Sequence, residues 1–208
     1  ENNWRGYWGF EVNPMIKSSP GDVLANTNNK MSDENFPKHV SHFWGDTQRI
    51  LRLQKLMQNR EVHTRESFIE AQLDTVSPTA RALLPIIGSE LWYSQPMGEL
   101  GSEKRLRFDA LSMLASWNGE MSEHLPEPLI YSTWMKFLQK KLINDDLGPI
   151  SARFNHFNPI FIEKVFRNID GASSWCDIKH SSSEETCAEI ASKSLDEALS
   201  WLVEKYGK

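Results

Sequence analysis

Between Asp46 and Tyr206, apolar side chains recur at steps of three and four behind residues that start helices, and this rhythm constrains the fold more than any other feature. Asp46 precedes a stripe of Ile50, Leu53, Leu56 and Met57, and Thr64 precedes Phe68, Ile69 and Leu73. Both are residue types that accept from a free backbone N–H at a helix start. Ser77-Pro78 predicts a capped helix with proline at its first position, where a missing N–H costs nothing, carrying Leu83, Leu84, Ile87 and Leu91. Leu106, Ala110, Met113, Leu114 and Trp117 predict another, closed by Asn118-Gly119 in the left-handed conformation. Ile130, Tyr131, Trp134, Phe137, Leu138 and Leu142 make the next apolar face, and a shorter helix follows Asn158-Pro159. Ser182 and Glu185 stand at capping-box spacing ahead of Ala188, Ala191, Leu195, Ala198, Leu199, Leu202 and Tyr206.

The first 35 residues lack this rhythm. Trp4, Tyr7, Trp8 and Phe10 are followed by prolines and turn-forming clusters, which reads as short strands and loops. The expected fold class is therefore mainly α-helical with short N-terminal strands and loops, divided into a strand/loop segment over residues 1–35 and a helical region over residues 36–208. At 208 residues and 39% hydrophobic, the chain can bury one sizeable core, as one domain or a large part of one. A net charge of -5 without a basic stripe argues against nucleic acid as a partner. No apolar run approaches the roughly 20 residues of a membrane span, and no stretch has the make-up of a signal peptide. The chain opens at Glu1 and not at a methionine, so it is expected to be a piece of a longer protein.

Chemistry-bearing motifs are sparse. There is no G-x-S-x-G, no H-E-x-x-H and no phosphate-cradling glycine loop. The six histidines are scattered; His39 and His42 lie three apart and can face one way, but no third ligand is evident. Asp74, Asp109 and Asp145-Asp146 fall in or beside helices, where carboxylates ordinarily cap or face water. Cys176 and Cys187 flank a polar segment. They read either as unrelated thiols or, preferably, as a disulfide stapling a polar loop onto the next helix, which implies an oxidising compartment. A pair at this spacing lacks the four ligands of a structural zinc site. Asn26-Thr27-Asn28-Asn29, after the apolar Val23-Leu24-Ala25, reads by itself as a turn, because asparagine tolerates left-handed geometry and bonds its own backbone.

The same residues carry a family likeness. Trp4-Arg5-Gly6, Phe10-Glu11, Asn13-Pro14, Ser19-Pro20-Gly21 and Ala25-Asn26-Thr27-Asn28-Asn29 resemble the segment of penicillin acylase β-chains that leads into a catalytic asparagine. In the same order follow Phe43-Trp44-Gly45-Asp46 with Arg49-Ile50, Gln72-Leu73-Asp74 with Ser77-Pro78-Thr79-Ala80-Arg81, and Leu83-Leu84-Pro85. Trp117-Asn118-Gly119, Ser174-Trp175-Cys176-Asp177 with Cys187, and Lys205-Tyr206-Gly207 continue the series to the end of the chain.

The resemblance implies an internal piece of the β-chain of an N-terminal-nucleophile hydrolase, related to penicillin, cephalosporin and acyl-homoserine lactone acylases. The parent fold it implies is a four-layer αββα sandwich, in which a serine at the start of the β-chain attacks an amide and its own α-amino group is the base. It assigns Asn28 to the oxyanion hole and Arg49 to the orientation of that asparagine and of the terminal amine; the alternative for Arg49 is a surface helix arginine paired with Asp46. Partners would be the remainder of the α- and β-chains and a small-molecule amide, with no nucleic acid and no membrane, in a periplasmic or secreted bacterial protein. This segment alone, without the serine, is expected to be inactive. No cofactor is expected: the family often binds a structural calcium through a carboxylate just before the Trp-Gly pair, and residues 36–44 contain neither Asp nor Glu. The alternative is a non-catalytic helical interaction module or a degenerate acylase relative.

Overall fold

A computed structural model describes residues 3, 5–19, 21–35, 38–58, 60–92, 97–154 and 156–207. Glu1, Trp4, Pro20 and Phe36, on which parts of the sequence reading fall, lie outside the described residues. The chain divides into two units, Glu1–Asp74 and Thr75–Lys208.

In the first unit, the described residues of the segment expected to hold short strands and loops form loops, with a 3₁₀ turn at Phe10–Val12 and a parallel bridge between Asn29 and Gly45. Extended backbone becomes a strand only when a neighbour satisfies its edge. Two helices follow, α1 (Gln48–Gln58) and α2 (Arg65–Gln72). Asp46 Oδ1 accepts from Gln48 N at 3.0 Å, so the aspartate does serve the start of α1. Thr64 caps α2 and exchanges hydrogen bonds with Ser67 in a full capping box. Arg52 on α1 grips Asp74 through two nitrogens, with Nε at 2.9 Å from Oδ2. The apolar stripes are thinly covered within this unit: Ile50 is buried, but Phe68 and Leu73 are exposed.

The second unit carries the core. Its helices are α3 (Pro78–Ile87), α4 (Glu103–Ser116), α5 (Pro126–Leu147), α6 (Pro159–Phe166) and α7 (Cys187–Tyr206). Ser77 and Asn158 cap α3 and α6 as the Ser-Pro and Asn-Pro pairs predict, accepting from Ala80 N and Phe161 N at 3.1 Å each. α5 is the hub. Its buried positions include Ile130, Tyr131, Thr133, Trp134, Met135, Leu138, Gln139, Leu142 and Ile143, too wide a set for one stripe, because other helices pack on more than one of its sides. Trp134, fully buried, donates from Nε1 to Ala191 O and Ser194 Oγ at 3.1 Å each and so ties α5 to α7. Gln139 meets the need of a buried amide by donating to Phe154 O and His156 O and accepting from Asn158 N.

Two sequence expectations shift here. The α4 helix stops at Ser116, and Trp117 is already extended at φ -68°, ψ 132°. Gly119, at φ 87°, does not close the helix. It pairs with the start of α3 instead, its carbonyl accepting from Ser77 N at 2.8 Å inside a short antiparallel bridge of Val76 with Glu120. The capping box of the last helix lies four residues later than Ser182 and Glu185: Thr186 and Glu189 form it. Glu185 is taken up elsewhere, accepting from Ile178 N and Ser181 Oγ at 3.1 Å each and from Lys193 Nζ at 3.4 Å. The Ile178 N–H, Ser181 and Lys193 hold its carboxyl below the ordinary glutamate range.

Cys176 and Cys187 are joined, with Cα atoms 5.0 Å apart. The bond fastens the first residue of α7 to the end of a 3₁₀ stretch, Ile169–Cys176, that packs on α6.

Candidate active site

The asparagine cluster of the first unit builds a tight turn. Asn28 N donates to Asn26 Oδ1 at 2.7 Å, and Asn29 Oδ1 accepts from Thr27 N at 3.1 Å. These two local bonds carry Asn28 into the left-handed region at φ 66°, which asparagine tolerates better than most residues. Gly45 closes the turn from the far side by donating its N–H to Asn28 O at 2.7 Å. A Cβ at Gly45 would lie 3.0 Å from that same oxygen, so a larger residue would push the Asn28 carbonyl back by a small distance. Sequence reasoning kept Gly45 as part of a motif but gave it no task.

Arg49 reaches back to this turn from the first helical turn of α1. Its Nη2 donates to Thr27 O and, at 3.1 Å, to Asn28 Oδ1. It turns to the asparagine and not to Asp46. Because a guanidinium only donates, the amide atom facing it has to be oxygen. The Asn28 Nδ2 group is thereby turned away from Arg49 as a donor with a fixed direction. Such a fixed N–H donor can stabilise an oxyanion that develops beside it, without reorganising in the transition state. Asn28 and Arg49 are both exposed in this unit.

The other residues weighed for chemistry take structural places. Asp74 holds Arg52, and the Asp74 carboxylate raises the pKa of that arginine. Arg105 Nε donates to Asp109 at 2.9 Å, while Asp145 accepts from Lys179 N and Asp146 pairs with Lys179 Nζ. No pair of carboxylates is set up as acid and base among these. His39 and His42 approach at 2.7 Å between Nε2 atoms. Among the described residues there is no group of three or more His, Cys, Asp or Glu able to hold a metal ion. The side chains available at residues 38–44 include imidazole nitrogens and a hydroxyl but no carboxylate, a donor set that does not fit calcium.

A family model described as penicillin amidase matches residues 1–208, the whole chain. The chain belongs to the penicillin amidase family. Among curated proteins, it is 23% identical over 156 residues to the acyl-homoserine lactone acylase QuiP of Pseudomonas putida, an alignment covering 72% of this chain and 19% of that protein. The chain thus spans about a fifth of the length of its curated relative. For this penicillin amidase family member, the Asn28–Arg49 pair is the place where the described residues set a side-chain amide against a fixed cation.

Proposed function

We propose that this chain supplies the oxyanion donor, Asn28, and its positioning arginine, Arg49, to an amide hydrolase whose nucleophile comes from another part of the longer protein. What carries the reading is the 3.1 Å contact of Arg49 Nη2 with Asn28 Oδ1, which fixes the outward direction of the amide N–H. In the mechanism, the carbonyl of a scissile amide sits against Asn28 Nδ2 while an N-terminal nucleophile attacks. Negative charge gathers on the carbonyl oxygen, and the amide stabilises it without first having to turn. Arg49 acts through Asn28 by holding its orientation. The substrate class is an amide with an apolar or aromatic acyl group, such as a β-lactam side chain or an acyl-homoserine lactone. Similarity to the acyl-homoserine lactone acylase of Pseudomonas putida supports the latter. The disulfide supports an oxidising compartment, periplasmic or extracellular. Alone, the 208 residues bring a donor without an attacking group and have no turnover.

The test is Asn28→Ala in the full-length processed enzyme, with turnover and thermal midpoint measured on the same preparation. Turnover of the folded enzyme should fall by about 100- to 1000-fold, the loss typical of one oxyanion donor, beside a midpoint lowered only by the roughly 1 kcal/mol that alanine costs in the left-handed region. If Asn28 only forms the turn, the midpoint falls while the folded fraction keeps its specific activity, and that outcome removes the assignment.

A further inference from the structure

The second unit contains a cleft lined by none of the residues assigned to the candidate site. It measures about 390 Å³ and lies between α3 and α4, walled by Leu84, Phe108 and Leu111 and by the indoles of Trp92 and Trp117. That volume is within the range, roughly 300 to 1,000 Å³, in which proteins hold small organic ligands. Among the described residues lining it, Arg81 is the only charged one. The stem of Arg81 lies across Gly119, where a Cβ would come within 2.8 Å of its Cγ, so the glycine makes room for it. Among the described residues its guanidinium has neither a hydrogen-bond nor an ion-pair partner. The other arginines of this unit that meet carboxylates, Arg105, Arg107 and Arg167, are engaged with Asp109, Asp196 and Glu163.

An aromatic-walled cleft with a single free cation complements a ligand with an apolar body and one negative head. Indole and phenyl faces accept a flat or flexible hydrocarbon, and the guanidinium fork matches a carboxylate. A neutral ligand of the same shape leaves the guanidinium without a partner, and a cationic one is repelled. We propose that the cleft is a binding site for an amphiphilic monocarboxylate, an aryl- or alkyl-carboxylic acid, with its carboxylate on Arg81 and its apolar body against Trp92, Phe108 and Trp117.

Calorimetric titration of the 208-residue chain with 4-phenylbutyrate, 4-phenylbutan-1-ol and 4-phenylbutylamine tests it. The acid should bind about fivefold more tightly than the alcohol, the discrimination expected of one solvent-exposed ion pair, and the amine most weakly. Arg81→Gln should bring the acid down to the affinity of the alcohol while the alcohol binds as before, which also shows that the variant is folded. Ala115→Phe places a ring into the cleft from an exposed position on α4 and should abolish binding of both acid and alcohol. The assignment is overturned if wild type prefers the alcohol or shows no preference. It is equally overturned if Arg81→Gln keeps the preference for the acid, or if Ala115→Phe, shown by circular dichroism to be helical, binds the acid as wild type does.

Discussion

Removing the Cys176–Cys187 bond should cost the second unit more than the order of one loop. The bond closes a loop with a sequence separation of 11, and chain-entropy estimates for a loop of this size give a stabilisation of about 3 kcal/mol through the unfolded state. Both ends are anchored in structured elements: Cys176 is buried at the end of the 3₁₀ stretch on α6, and Cys187 opens α7, whose Ile190, Ala191 and Leu195 lie in the core. The loss therefore falls on cooperative unfolding and not only on residues 177–186. For a unit of this size, that energy corresponds to roughly 10 °C in thermal midpoint. The assay is calorimetry of Cys176→Ala/Cys187→Ala beside wild type, with wild type in a phosphine reductant as a control that keeps both side chains. Both should melt near the same lowered temperature. A double variant melting within about 2 °C of oxidised wild type would refute the loop-entropy argument, and two titratable thiols in never-reduced protein would refute the bond itself.

Glu185→Gln should lower the midpoint at neutral pH, because the amide keeps an acceptor for Ile178 N but loses the charge that faces Lys193. As the folded carboxyl sits below its ordinary value of 4.5, its contribution is present above that pH and lost as pH falls through the lower folded value. Melting curves of the two proteins should accordingly converge in the acid range, and a difference that persists unchanged under acid would count against the assignment. Gly119→Ala should destabilise the second unit by at least about 1 kcal/mol, since alanine is strained at positive φ. Its Cβ would also meet Ser77 O at 3.1 Å and Arg81 Cγ at 2.8 Å. Chemical denaturation at an unchanged slope is the measure, and a wild-type midpoint would show that the Gly119 loop yields freely.

Several elements were legible in the sequence because the forces that make them act within one helical turn. Ser77 before Pro78 and Asn158 before Pro159 start helices whatever lies around them, since the cap and the fixed proline φ are local. The stripe through Ala191, Leu195, Ala198 and Leu199 likewise announces a buried face of α7. Its buried Ser194 was not visible, because its hydroxyl donates back to Ala191 O at 2.8 Å within the helix and accepts from the indole of Trp134, 60 residues away. Ser182 with Glu185 has capping-box spacing in the sequence, yet Thr186 with Glu189 forms the box. The turn around Ile178 and Ser181 claims Glu185 for itself. At the candidate site, the sequence supplied the residue types and a family likeness, and the asparagine cluster alone specified a turn. Only the return of the chain, which brings Arg49 to Asn28 over 21 residues and Gly45 onto the same carbonyl, decides which amide atom is held and which is left to donate. Local propensity cannot encode that choice, because it depends on a donor contributed by another element at a particular distance and direction.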